Sequence, residues 1–307
     1  MNKLDFNKEY TLVGVGCSHT QGCAFTLDFR SNNPNEIKWA NDKIAEKFNV
    51  DCSRDYITNN LTWMAFLKNH LKVSKIINLG YGGFGTTTSI RSLQNLILNT
   101  PSLENFLIII QLEYPYRDEL FLNTSNYGYL YHCVKEYLIS NDKAHLFSNE
   151  VKSLFAKYFY SDTFAFIDHL YQLYYMQITL EKLGANVRIF GQPWFDLDHI
   201  GINQQEIYKI HEAYDYYSQT GFEKDIQGPI PILDLFNKLN IISTEGMSYI
   251  LKDKGFKNPP TLHNDYGIDG DHHLSEVGNE LVAEHLFQNL DNKRIFKIQE
   301  DSKLGWL

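Results

Sequence analysis

The chain has few cysteines, no long apolar run and no cluster of basic residues, and each of these features excludes a class of protein. Its four cysteines, Cys17, Cys23, Cys52 and Cys133, form no CxxC pair. This spacing argues against a disulfide scaffold or a cysteine zinc site and favours reduced thiols. No segment approaches the roughly 18 consecutive apolar residues that a membrane span needs. The formal net charge is -9 at pH 7, and no stripe of lysine or arginine is present, so no nucleic-acid partner is expected.

The first ten residues, MNKLDFNKEY, lack the apolar core of a secretory signal. We therefore expect a cytoplasmic protein that binds no membrane. The chain has 307 residues, enough to bury the core of one large α/β domain. We predict a single domain over 1–307 with a tyrosine-rich insertion around 118–162, part of it helical and capping the site. The sequence does not indicate an oligomeric state.

Short apolar runs alternate with amphipathic segments along the chain. This alternation predicts a parallel sheet covered by helices on both faces, with ligands at the carboxyl ends of the strands. In the helix predicted at 59–71, Leu61, Met64, Leu67 and Leu71 form the inward stripe and Thr62 and Asn69 lie opposite. In the one at 275–290, the inward residues are Val277, Leu281, Val282 and Leu286. Strands are predicted at 10–16, 75–80, 105–113, 187–190 and 230–236, and further helices at 36–48, 89–98, 163–182 (ended by Gly184) and 203–217.

The stretch GVGCSHTQG, residues 14–22, directly follows the first predicted strand. A nucleophile needs exposure at a sharp turn with backbone N–H groups nearby to hold an oxyanion, and a glycine close to the strand end helps to supply both. Ser18 meets this description. The motif is not a G-x-S-x-G elbow, because Thr20 occupies the position of the second glycine. The alternative is that Ser18 and Thr20 only cap a helix.

The stretch DGDHHLSEVG, residues 269–278, places two acids and two histidines in a polar loop before a helix. A serine nucleophile needs a base, and the base needs an orienting carboxylate, so this loop can complete a triad. Two other interpretations are a solvated turn that caps the helix and a metal site. No helix-borne H-E-x-x-H motif fixes a metal geometry here, so we expect no metal. The ligands of such a site would be His263, Asp265, Asp269, Asp271, His272 and His273.

Taken in order, GCSHTQG, NLGYGGFG and HHLSEVG resemble blocks of the SGNH, or GDSL-type, esterase and acylhydrolase superfamily. The family's blocks are G-D-S-x-T/L, an oxyanion glycine after a strand that ends in Asn, G-x-N-D, and D-x-x-H. The resemblance implies that Ser18 is the nucleophile, that the N–H groups of Ser18 and Gly83 hold the oxyanion, and that His273 is the base. No cofactor is implied. The predicted fold is a flavodoxin-like three-layer α/β/α sandwich with a central parallel sheet of about five strands.

The chain departs from the family pattern at three places. Cys17 replaces the usual aspartate of the first block. The segment QLEYPYRDEL has no Asn in place of G-x-N-D, and Arg117 and Gln111 are the candidate replacements. Losing one oxyanion donor lowers turnover by a factor on the order of 10²–10³. The missing Asn is therefore consistent with an enzyme of altered activity and with an inactive one. The acid is ambiguous too: we predict Asp271 with His273, while Asp269 with His272 keeps the D-x-x-H spacing.

We expect a serine esterase that acts on a small-molecule or glycan ester. Tyrosines in 127–137, together with Trp194 and Phe195, are candidates for a wall that stacks against a sugar, which favours a carbohydrate O-acetyl ester. One alternative is a non-catalytic module of the same fold that binds glycans or is structural. A second is a dinucleotide-binding oxidoreductase, because GYGGFG satisfies G-x-G-x-x-G after a strand and Glu113 ends the next one.

Overall fold

The computed structural model describes part of the chain: residues 1–17, 20, 54–80, 85–112, 120–121, 130–131, 162–191, 235, 237–243, 260–261, 264–265, 273–298 and 304–306. The helices predicted at 36–48 and 203–217, and most of the tyrosine-rich insertion, lie outside these residues. The helices are α1 (Arg54–Asn60), α2 (Trp63–Leu67), α3 (Thr86–Asn99), α4 (Asp162–Lys182) and α5 (Glu276–Asn289). The main strands are β1 (Tyr10–Val15), β2 (Val73–Asn78), β3 (Phe106–Leu112), β6 (Asn186–Gly191) and β7 (Ile241–Ser243). Two short antiparallel pairs are β4 (Leu120–Phe121) with β5 (Leu130–Tyr131), and β8 (Phe296–Ile298) with β9 (Leu304–Trp306).

The five main strands form one parallel sheet in the order β2-β1-β3-β6-β7. This order is that of the flavodoxin-like doubly wound fold, in which the chain first moves outward from β1 to β2 and then crosses to β3. The carboxyl ends of β1 and β3 therefore flank the position where the direction of winding reverses. The predicted fold class, an α/β protein with a central parallel sheet of about five strands, is confirmed.

Helices cover both faces of the sheet because side chains along each strand alternate between them. Val13 and Val15 of β1 face a core cluster shared with α3 and α4. Tyr10 and Leu12 face a second cluster shared with α2 and α5. The result is three layers. Among the described residues, no helix is both long and apolar enough to span a membrane.

In place of one helix at 59–71, the structure has two short helices, α1 and α2. The prediction that Thr62 lies on the face opposite the inward stripe was wrong. The Thr62 side chain is buried, donates to the Thr58 carbonyl at 3.0 Å and accepts from the Ala65 N–H at 3.4 Å. A threonine in this role ends one helix and caps the next. The break turns Trp63 into the first residue of α2.

Three further expectations were wrong. Leu235, inside the strand predicted at 230–236, is helical and buried, and the fifth strand is the later run Ile241–Ser243. Leu130–Tyr131, inside the tyrosine-rich segment predicted to be helical, is a strand. Val277 of α5 is 43% exposed, because the inner face of the first turn is formed by Gly278 and Asn279 instead. Of the residues predicted to face inward, Val282 and Leu286 are fully buried.

The prediction that Gly184 ends the helix at 163–182 is confirmed. This residue follows α4 with φ +95°, a conformation that favours glycine, and its N–H donates to the Glu181 carbonyl. The next N–H, of Ala185, reaches back to the Leu180 carbonyl and completes the turn.

A buried arginine connects the sheet to the start of the chain and to the end of α5. Arg188 of β6 is 1% exposed and donates to the carbonyls of Leu290 and Asn2 and to Asp291 Oδ1, at 2.5, 2.7 and 3.2 Å. Burial lowers the pKa of the Arg188 guanidinium, and the hydrogen bond and charge of Asp291 oppose that shift. The interaction holds the end of α5 and the start of the chain to one strand.

Candidate active site

The carboxyl ends of β1, β2 and β3 meet at one edge of the sheet and carry polar residues that contact one another. Gly16 and Cys17 follow β1, Asn78 ends β2, and Gln111 lies one residue before the end of β3. Because the three strands are parallel and adjacent, these residues lie at the same edge of the sheet. The loop predicted to carry the nucleophile therefore begins at the position where doubly wound folds bind ligands.

Gln111 holds the beginning of that loop. Its amide oxygen accepts from the Thr20 hydroxyl at 2.5 Å, and its amide nitrogen donates to Cys17 Sγ at 3.2 Å. The residue is only 1% exposed. Both functional ends of the Gln111 side chain are thus used inside the protein, on the two residues that flank Ser18 and His19 in the sequence.

Gly16 allows this close approach. Its φ is +153°, and a Cβ at this position would lie 2.7 Å from Gln111 Cβ and 2.9 Å from Thr20 Oγ1. Neither the backbone conformation nor the space admits a larger residue without displacement.

Asn78 connects the same loop to the end of β2. Its amide nitrogen donates to the Thr20 carbonyl at 3.0 Å and to Thr58 Oγ1 at 3.2 Å, and its amide oxygen accepts from the Gly80 N–H at 2.9 Å. The expected Asn at the end of the second strand is therefore present and fully engaged. It links the β1 loop to the start of the glycine-rich turn.

The N-terminus of α5 contributes the histidine loop. His273 is half-buried and precedes Leu274, which bridges to Thr261, and Ser275, whose hydroxyl accepts from the Gly278 N–H at 3.4 Å. Gly278 is closely packed, since a Cβ there would lie 2.5 Å from the Pro260 carbonyl oxygen. The backbone just after His273 is thus fixed by a helix cap and a neighbouring segment.

The two loops are joined through α2. The indole Nε1–H of Trp63 donates to Thr20 Oγ1 at 3.3 Å, and the backbone N–H of Trp63 donates to Asn279 Oδ1 at 3.0 Å. The amide nitrogen of Asn279 in turn donates to the carbonyls of Leu274 and Ser275. A continuous hydrogen-bonded path therefore runs from the β1 loop to the residues that follow His273.

Sequence reasoning had proposed neither Trp63 nor Asn279 for this site. The sequence carried one signal, which was Asn279 on the inward face of the helix predicted at 275–290. A polar side chain in such a position normally has a buried hydrogen-bond partner. Asn279 is 3% exposed.

Of the predicted site residues, the structure describes His273, and of the residues predicted to flank the site, it describes Gln111. The remaining predicted site residues lie outside the described part of the chain, and their placement stays a prediction. They are Ser18, Gly83, Arg117, Trp194, Asp269 and Asp271. Of the six residues of the alternative metal site, Asp265 and His273 are described, and no group of three metal-ligating side chains occurs among the described residues.

No family model matches the chain, and no curated protein matches it. The solved structures to which the chain is similar include two proteins of low sequence identity. The first is a member of the lipolytic protein G-D-S-L family from Veillonella parvula DSM 2008, with 12% identity and a TM-score of 0.39 over 93% of this chain and 99% of that one. The second is TesA, with 11% identity and a TM-score of 0.39 over 92% of this chain and 98% of that one.

Proposed function

We propose that the protein is a serine ester hydrolase in which Ser18 is the nucleophile and His273 the general base. The observation that supports this most is the hydrogen-bonded path from Thr20 through Trp63 and Asn279 to the backbone after His273. The path links two segments that lie more than 250 residues apart in the sequence. A nucleophile and a base need fixed positions relative to each other, and a path of this kind supports that requirement.

In the proposed reaction, His273 takes the proton from Ser18 Oγ as Oγ bonds to the ester carbonyl carbon. The N–H groups of Ser18 and Gly83 stabilise the resulting oxyanion. The carbon–oxygen bond to the alcohol then breaks, and the alcohol leaves with the proton from His273. A water molecule, deprotonated by His273, attacks the acyl group and releases the carboxylic acid, and Ser18 regains its proton. No metal or cofactor takes part in these steps.

Asp271 is proposed to orient His273, with Asp269 as the alternative. Arg117 and Trp194 are proposed to contact the substrate, and the preferred substrate is a carbohydrate O-acetyl ester because aromatic side chains stack on sugar rings.

A second candidate function, a non-catalytic binding module of this fold, is favoured by one observation. Gln111 was a possible replacement for the missing Asn of the third block. Its side-chain amide instead bonds to Thr20 and Cys17 inside the protein. An oxyanion donor from β3 is therefore not supplied by Gln111, and the proposed enzyme relies on backbone N–H groups and on Arg117.

The dinucleotide-binding alternative is disfavoured by strand order. GYGGFG follows β2, which is the edge strand of the sheet, whereas the reversal of winding lies between β1 and β3. In doubly wound folds the nucleotide binds at that reversal.

The test is hydrolysis of a panel of esters with short and long acyl groups, including acetylated sugars, by the wild type and by Ser18→Ala, His273→Ala, Asp271→Asn and Asp269→Asn. We expect loss of about 10³-fold or more in turnover for the first two and a preference for acetyl esters. Of the two aspartate variants, the one that loses activity identifies the orienting acid. An unchanged rate in His273→Ala would remove the assignment of the base, and an inactive wild type that binds acetylated glycans would favour the non-catalytic module.

A further inference from the structure

Trp63 hydrogen-bonds directly to Thr20 of the β1 loop and, through Asn279 of α5, is linked to the residues that follow His273. It is fully buried and is the first residue of α2, so its backbone N–H has no partner within its own helix. Asn279 Oδ1 accepts that N–H at 3.0 Å. In most helices the N–H groups of the first turn donate to a capping side chain or to water. Here the Trp63 N–H donates to Asn279 and so attaches α2 to α5.

The indole of Trp63 bonds in the other direction, toward the β1 loop. Thr20 Oγ1 accepts a hydrogen bond from Nε1–H at 3.3 Å, and the Thr20 hydroxyl donates one to Gln111 Oε1 at 2.5 Å. Because the hydroxyl has one proton, these two contacts set its orientation. The position of Thr20, two residues after Ser18, is therefore defined from both the helix layer and the sheet.

The indole ring itself has little freedom to move. It packs edge-on against Phe190 of β6, with 5.6 Å between ring centroids and an interplanar angle of 81°, a favourable aromatic geometry. A shift of Trp63 would disturb this contact as well as both hydrogen bonds.

We propose that Trp63 is a positioning residue that fixes the nucleophile loop and the histidine loop relative to each other. This inference rests on the proposed hydrolase function for its effect on rate, whereas the coupling between the loops is a property of the fold. Displacements of about 1 Å at a catalytic pair reduce turnover by up to about 10²-fold. Loosening the Trp63 contacts therefore lowers kcat. KM stays unchanged, because other residues bind the substrate.

The experiment compares variants that interrupt the hydrogen-bonded path at two points. Thr20→Val removes the hydroxyl that accepts from the indole and donates to Gln111, and Thr20→Ser keeps that hydroxyl. Trp63→Phe removes the indole donor alone and puts a smaller ring in its place. Tyr10→Phe is the matched control, because it removes a hydroxyl at the other end of β1 whose hydrogen-bond partner, among the residues that the structure describes, is the Asp5 backbone. Urea unfolding confirms that each variant is folded under the assay conditions.

We expect Thr20→Val and Trp63→Phe to lower kcat about tenfold with KM within about twofold. Thr20→Ser restores most of the rate, and Tyr10→Phe matches the wild type. Two-dimensional ¹H–¹⁵N spectra follow the Trp63 indole and the His273 backbone amide, and Thr20→Val moves both resonances. A kcat for Thr20→Val equal to that of the wild type would overturn the positioning role.

The spectra separate the two proposals. A wild type that hydrolyses no ester contradicts the proposed function but leaves the coupling open to measurement. In that case a His273 amide that moves in Thr20→Val and stays in Tyr10→Phe supports the coupling. A His273 amide that is unchanged in Thr20→Val overturns it.

Discussion

At the scale of single residues, the site depends on a glycine that no other residue can replace without strain. Gly16 has φ +153° and lies against Gln111 and Thr20. We predict that Gly16→Ala lowers the free energy of unfolding by about 2–3 kcal/mol, from backbone strain together with the close contact. It should also reduce turnover, because Thr20 and Gln111 must move. Chemical denaturation and kcat measurements check this.

Gly184→Ala is the matched control for that prediction. Gly184 also has a positive φ, +95°, and a Cβ there would lie 3.0 Å from the backbone Cα of Glu104. It should lower stability by about 1–2 kcal/mol and leave turnover unchanged, since it lies just before the first residue of β6, at the opposite end of the strands from the candidate site. Equal losses of turnover in both variants would contradict a local role for Gly16.

The pH dependence of activity is a second prediction at this scale. A general base must be unprotonated, so kcat/KM should fall as pH drops through the range in which imidazoles take up a proton, roughly 6–7. The rate should decrease about tenfold per pH unit below that range. A rate that is constant between pH 5 and 8 would argue against His273 as the base.

At the scale of elements, the cap of α5 connects helix stability to the histidine. Ser275 is fully buried and its hydroxyl accepts from the Gly278 N–H. Ser275→Ala should cost about 1 kcal/mol of stability and lower kcat, because His273 lies two residues before this cap. Ser275→Thr keeps the hydroxyl and should lose less of both. Thermal unfolding and ester turnover measure the two effects. If Ser275→Ala loses the expected stability but keeps its kcat, the cap has no influence on the site.

The elements predicted best are those with an unambiguous apolar pattern. β3 and α4 agree with their predicted positions to within one residue at each described end. A short apolar run such as FLIIIQL is typical of a buried strand and is compatible with few other structures. The break at Thr62 was missed because leucine spacing continues through it, and only a cap formed in three dimensions ends the helix. β7 was misplaced because IPILDLF is more apolar than the shorter strand Ile241–Ser243.

The candidate site was partly predictable for a similar reason. Motif order predicted that the β1 loop and the histidine loop belong together. The residues that join them, Trp63 and Asn279, come from elements whose local sequence carries no catalytic signal. Their roles arise from packing between α2 and α5, which a pattern along one chain segment does not contain.

At the scale of the whole molecule, Arg188 holds distant segments on one strand. Arg188→Met removes the donors to the Leu290 and Asn2 carbonyls and the ion pair with Asp291, which keeps its hydrogen bond from the Leu4 N–H. Breaking a buried pair by removing one member costs about 3–5 kcal/mol, so we predict a loss at the lower end of this range because Asp291 is 24% exposed. Chemical denaturation measures it, with Asp291→Asn as the milder comparison. A loss below about 1 kcal/mol would show that the pair contributes no more than a surface contact.

The proposed function requires that Ser18 is an activated nucleophile and that His273 is its base. The most direct measurement is reaction with a fluorophosphonate, followed by peptide mass spectrometry of the wild type and of His273→Ala. The account predicts one phosphonate adduct on Ser18 in the wild type and at least about a hundredfold slower labelling in His273→Ala. An unlabelled Ser18 in folded protein, or labelling that does not depend on His273, would contradict it.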